Sequence, residues 1–141
     1  MPEQQDRPIA MLFRAEGTDE LPEHPALLGG RCTQCGRTFF PMQTYGCESC
    51  GSEEVVPTAL TGRGRLVASA EVFMPAGPHR PAPFIVGSVV MDDGAVVRAI
   101  LEVTAGTRLV PGTTMVTCLV PETRPDRGSD DLRFMPAKSG V

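Results

Sequence analysis

Two C-x-x-C-G units eleven residues apart, a series of β-rich segments separated by turn signals, and 15 Gly with 14 Pro in 141 residues together predict a mainly β chain. The architecture they predict is a small four-cysteine module followed by a small closed barrel, with no convincing central helix. At this length one domain plus a small module fits. The residues are 41% hydrophobic but only 5% aromatic, with no Trp, so the core must be built mainly from Val, Leu, Ile and Ala.

The module is residues 32–51, CTQCGRTFFPMQTYGCESCG. Cys32 and Cys35 form one pair, and Cys47 and Cys50 form the other. A tight turn brings residues i and i+3 together, so each pair can offer two thiolates to one tetrahedral ion, and Zn²⁺ is the usual occupant. Gly36 and Gly51, which follow the pairs, supply the positive φ that such knuckles need. A four-thiolate site has no position left for water or substrate, so it holds a fold together and does not catalyse. Iron is the chemical rival, since tetrahedral sulfur suits either metal, but the short gap favours a compact zinc ribbon. Phe39, Phe40 and Tyr45 in that gap are expected to cover the site and pack as core, the competing use being a platform for stacked bases.

Residues 1–25 read as a lead-in. Its polar start gives way to IAMLFRAEG (residues 9–17), a short helix or docking segment whose Met11, Leu12 and Phe13 seek an apolar surface. Pro22 and Pro25 stop any helix, and His24 between them reads as an ordinary loop residue. The ribbon is assigned to residues 26–56 and the barrel, with a C-terminal tail, to 57–141.

Residues 52–62 are a strand-like exit from the ribbon, and 63–74 make one long strand. The stretch 75–83 holds four prolines and is a loop exposing His79 and Arg80. Residues 84–91 and 95–103 flank Asp92-Asp93-Gly94, a strong hairpin signal that also explains the two carboxylates. A strand at 113–120 follows Pro111-Gly112, and a last short one at 132–135 follows the charged loop TRPDRGSDD.

Little here suggests catalysis by this chain alone. Cys118 lies mid-strand on one face with Thr114, Val116 and Val120 and reads as a buried core thiol, with no base nearby to activate it. Both histidines sit beside prolines, and no Ser-His-Asp pattern, nucleotide loop or paired-carboxylate motif stands out. The formal charge of −4 argues against nucleic acid as the main partner. No apolar run approaches the ~18 residues of a membrane span, and no signal-peptide pattern is present. Metal-type cysteine spacing then predicts a reducing cytoplasm with no membrane association.

Taken together, LLGGRCTQCGRTFFP, CESCGS, TGRGRLVASAEV, PFIVGSVVMDDGAVVRAILEV and LVPGTTMVTCLV resemble, in content and order, the zinc-ribbon plus OB-fold acyl-CoA-associated family. The resemblance covers roughly residues 26–136 and departs at Glu48, where a proline is often found, and at the Pro-rich loop. It implies a rubredoxin-like zinc ribbon followed by a five-stranded OB-fold barrel. The implied role is a non-catalytic accessory subunit of a thiolase-superfamily enzyme: an acyl-CoA thiolase, an acetyltransferase or a lipid-transfer-type aldolase. Other members accompany hydratases acting on acyl-CoA. The catalytic Cys and His would sit in the partner of this hetero-oligomer, and the small subunit would support acyl-CoA binding.

Contact with CoA held by the partner would fall to arginine, whose planar fork recognises phosphate. The candidates are Arg31, Arg37, Arg63 and Arg65, against the plainer reading of solvated arginines or partner ion pairs. Two other functions compete with the accessory role. OB folds and zinc ribbons both serve as nucleic-acid-binding modules, and an iron tetrathiolate would make an electron carrier.

Overall fold

A computed structural model describes residues 12–74, 82–104, 106–121 and 131–137. It contains two β-sheets and, among the described residues, no α-helix. The first is a ribbon sheet of β1 (Phe13–Arg14), β2 (Ala26–Cys32), β3 (Thr38–Phe39) and β4 (Val55–Leu60). Strand β2 is its spine. It pairs antiparallel with β4 from Leu27↔Leu60 to Cys32↔Val55, and with β1 and then β3 along its other edge.

The second sheet is a closed barrel of β5 (Arg63–Val72), β6 (Phe84–Met91), β7 (Val96–Leu101), β8 (Thr114–Val120) and β9 (Asp131–Pro136), in the order β5-β6-β7-β9-β8. The β7–β9 pairing is parallel and the others are antiparallel. The last strand thus inserts between the third and fourth, a Greek-key closure of OB type. The strands expected from alternation are all present, each within two residues of its expected ends.

The Asp92–Gly94 turn lies in the four-residue connection, 92–95, that joins β6 to β7. Gly94 at φ 103° donates its N–H to Met91 O, and Met91 N–H returns to Ala95 O.

The segment expected as a short helix or docking segment at 9–17 forms, among its described residues, strand β1 at Phe13–Arg14 and no α-helix. Phe13 and Arg14 pair with Leu27 and Ala26, because the open edge of β2 offers backbone partners and the barrel core offers Phe13 a surface. Local helix propensity is too weak to resist both. Met11, His79, Arg80, most of the 123–131 loop and the end of the C-terminal tail lie outside the described residues.

Alternation along β6 turns Ile85, Val89 and Met91 inward, where they meet Leu66, Val97, Leu101, Met115 and Phe134. Leu27 and Leu60 of the ribbon sheet, 0% and 1% exposed, belong to the same cluster. Ribbon and barrel therefore share one hydrophobic core.

Polar contacts lock the same junction. Thr38 of β3 donates its hydroxyl to Asp93 O at the hairpin tip, and Asp93 Oδ2 accepts from Thr61 N at 3.3 Å. Thr117 of β8, fully buried, makes three bonds: its N–H to Gly62 O (2.9 Å), its hydroxyl to Pro25 O (2.6 Å), and its carbonyl from His24 Nδ1 (2.8 Å). Gly62 must be glycine here, because a Cβ would stand 2.3 Å from Thr117 Oγ1 and 2.4 Å from Pro25 O.

Candidate metal centre

The two knuckles repeat one backbone pattern. Gly36 N–H bonds to Cys32 O at 2.8 Å, and Gly51 N–H bonds to Cys47 O at the same distance. Cys32 N–H reaches Arg37 O (2.9 Å) and Cys47 N–H reaches Ser52 O (2.7 Å). Gly36 and Gly51 take φ of 81° and 80°, as the spacing predicts. Strand β2 delivers Cys32 from its C-terminal end, and the second knuckle folds back to face the first.

All four Sγ atoms lie within 4.8 Å of one another, with Cys32–Cys50 and Cys35–Cys47 each at 3.6 Å. A regular tetrahedron with Zn–S bonds of about 2.3 Å has edges of about 3.8 Å, so the four sulfurs are spaced to accept one ion with little adjustment. Cys32 and Cys47 are buried while Cys35 and Cys50 are exposed, so the site sits at the surface, with Cys32 rooted in β2 and Cys47 held by the loop between β3 and β4.

Backbone donors prepare the first cysteine of each knuckle for ligation. The Cys35 N–H, helped by that of Gln34 and by neighbouring thiols, draws the Cys32 thiol down to about 6 against the opposing effect of burial. The N–H groups of Cys50 and Ser49 lower Cys47 in the same way, and Ser49 N lies 3.4 Å from Cys47 Sγ. Cys50 is pushed up to about 11. The Ser52 N–H lowers it, but the hydrogen bond to Cys32, burial and the contacts with Cys35 and Cys47 outweigh that. In the metal-free protein the thiols therefore share protons, and a divalent ion is what lets all four ionise.

The aromatics divide. Phe39 is buried, and Gly30 makes room for it: a Cβ there would stand 2.4 Å from the ring and 2.6 Å from Met42 Sδ. Phe40 packs on the edge of the barrel core. Tyr45, expected to cover the site as core, is 86% exposed, because Gln43 turns the chain outward by bonding Tyr45 N and Gly46 N with its side-chain oxygen.

The candidate arginines fall in different settings. Arg37 pairs with Glu48 at 3.2 Å, an ion pair that bridges the two knuckles. Arg63 holds Asp92 at 2.6 Å beside the hairpin. Arg31 and Arg65 are exposed on β2 and β5.

Cys118, expected as a buried core thiol, is half-buried, because Met115 and Phe134 fill the interior and Cys118 turns to the other side opposite Arg133. Burial, with the charge of Glu102, pushes its thiol up, and Arg133 only partly offsets this. His24, far from the metal site, is an anchor to β8 and not a free loop residue. Its bond to Thr117 spans 93 positions and leaves no local signal in the sequence.

A surface tetrathiolate ribbon fused through a common core to an OB-type barrel defines the class: a zinc-ribbon and OB-fold protein whose four cysteines are positioned to bind a metal ion. Residues 19–56 match the family described as ChsH2, rubredoxin-like zinc ribbon domain. A DUF35 domain-containing scaffold protein of Methanothermobacter thermautotrophicus is 29% identical over 77 residues, which cover 53% of this chain and 57% of that protein. The chain thus aligns with less than two thirds of that relative's length.

Among solved structures, one described as Ltp2-ChsH2(DUF35) aldolase superposes with a TM-score of 0.65 at 23% identity, covering 80% of this chain and 86% of the other. A DUF35-family protein of unknown function from Sulfolobus solfataricus superposes with a TM-score of 0.51 at 15% identity, covering 79% and 76%. At these identities the likeness is one of fold.

Proposed function

We propose that this chain is a non-catalytic accessory subunit that associates with a thiolase-like or lipid-transfer-type aldolase partner and supports that partner's acyl-CoA binding and activity. The observation that carries this reading is the superposition on the Ltp2-ChsH2(DUF35) aldolase structure over 80% of this chain, a length that must include both ribbon and barrel. The scaffold description of the Methanothermobacter relative points the same way.

The chemistry of the side chains agrees. Four of the five thiols are committed to a closed site, and the fifth, Cys118, is held as a neutral thiol by burial. His24 is spent on a backbone carbonyl. The same reading places the protein in a reducing cytoplasm, where the exposed cysteines Cys35 and Cys50 stay free of disulfides and available to metal.

The test is recovery of tagged protein from native lysate, with the bound protein identified and assayed on acyl-CoA. A thiolase-like or aldolase-type partner that turns over acyl-CoA only as the complex supports the proposal. Recovery of nucleic acid, or of no partner, contradicts it.

A further inference from the structure

We infer that the outer face of the β5–β6–β7 sheet is where this chain docks its partner, and that the partner's matching surface is apolar and carries carboxylates. This rests on the accessory-subunit reading. Register defines the face. One row across the three strands is Arg65–Val90–Val96, and the next is Ala68–Ser88–Arg98. A bulge between Leu66 and Ala68 keeps Arg65 and Ala68 on the same side despite their odd spacing. A third row is Ala70–Val86–Ile100.

Val96 is 56% exposed and Val67, at the bulge, 51%, whereas Val97 and Leu101, which face inward on β7, are buried. Val90 and Val96, neighbours in the first row and both exposed, put apolar surface on this face, which is the mark of an interface more than of a solvated one.

Charge identifies the occupant. The chain has more acidic than basic residues, 17 against 13, yet these three rows hold two arginines and no carboxylate. Elsewhere Arg37, Arg63 and Arg133 are paired with carboxylates of this chain. Among the described residues none pairs with Arg65 or Arg98, so this face presents cations with unfilled partners on an apolar ground.

Small residues at its centre leave a groove of about 210 Å³ between Ala68, Ala70, Val86 and Ser88, with Arg98 at its side. A single apolar side chain projecting from the partner fits such a groove, the arrangement by which a few anchors dominate protein–protein affinity. Strands β6 and β7 are the ones on which OB folds commonly bind oligonucleotides, but that use needs aromatic platforms and a basic groove. No aromatic residue lies in the three rows, which is why the occupant is a protein.

The test measures affinity for the partner recovered with the wild-type chain, using Arg98→Glu, Ala70→Arg to fill the groove, and Arg108→Glu as a charge reversal off this face. The expected result is a tenfold or greater loss of affinity for each of the first two, with metal content and thermal transition retained. Arg108→Glu should stay within twofold of wild type, and a carboxylate-to-lysine change in the partner should recover binding by Arg98→Glu. Wild-type affinity in both face variants overturns the inference while leaving the accessory role intact. So does unchanged association with a raised KM for acyl-CoA, which would assign Arg98 to phosphate, or a wild-type chain that binds an oligonucleotide through this face. If the wild-type chain recovers no partner, the accessory role itself fails and this inference falls with it.

Discussion

Leu27 and Leu60 lie directly opposite each other across β2 and β4 of the ribbon sheet, and both are buried in the core of the barrel. The metal module is therefore the end of the barrel's own hydrophobic interior, and cannot be a bead on a linker. Leu60→Ala should cost about 2–5 kcal/mol, as truncations that leave a cavity do. Ribbon and barrel should still unfold together, so thermal melting followed by circular dichroism and by metal release should give coincident curves. Two separated transitions in the wild-type protein would show that the modules are independent.

Removing a ligand should act on the whole fold for the same reason. Cys35→Ser or Cys47→Ser should lose stoichiometric metal and much of the folded population, and chelation of the wild type should do likewise. Acid should have the same effect, since each thiol must lose its proton to bind the metal. The sign follows from Cys32. Its pKa is lowered from 9.0 to about 6 in the metal-free fold, so the stability its thiolate contributes is present above pH 9 and fades as pH falls through about 6. A variant that melts like wild type without zinc would contradict the structural role of the site.

Thr117→Val keeps the side-chain shape but strands the buried carbonyl of Pro25. A loss of about 1–3 kcal/mol is expected, together with faster proteolysis of the lead-in around residues 18–25. Equal protease resistance in variant and wild type would show that Thr117 does not hold that segment.

Cys118 gives an alkaline signature. Its thiol is raised above 9.0, so the stability held by the neutral form is complete below pH 9 and lost as pH climbs through the folded value. The zinc-loaded protein should show one slowly reacting thiol at neutral pH that speeds up with alkalinity. Cys118→Val should flatten the alkaline fall in Tm. A fast-reacting Cys118 at pH 7 would instead mark a thiolate and reopen a chemical role for it.

The metal site was fully legible in the sequence, because the spacing of Cys32, Cys35, Cys47 and Cys50 and the positions of Gly36 and Gly51 are local requirements of the knuckle. The barrel strands were legible for a similar reason, since the alternation in FIVGSVVM and the Asp92-Asp93-Gly94 turn are short-range patterns. What joins the parts was not. The His24–Thr117 and Thr38–Asp93 bonds span 93 and 55 positions, and polar residues of those types occur in any loop. Phe13 read only as part of a short helix or docking segment because a two-residue strand has no periodicity of its own, only an edge to pair with. The Arg65–Arg98 face needs register across three strands and a bulge, which no single segment displays.

The most direct measurement is turnover of acyl-CoA by the copurified partner, assayed alone and after adding back this chain loaded with zinc. Activity that is low for the partner alone, rises saturably to one chain per partner subunit, and fails with Cys35→Ser is the predicted result. A partner equally active without this chain, with unchanged kcat and KM, would contradict the accessory role.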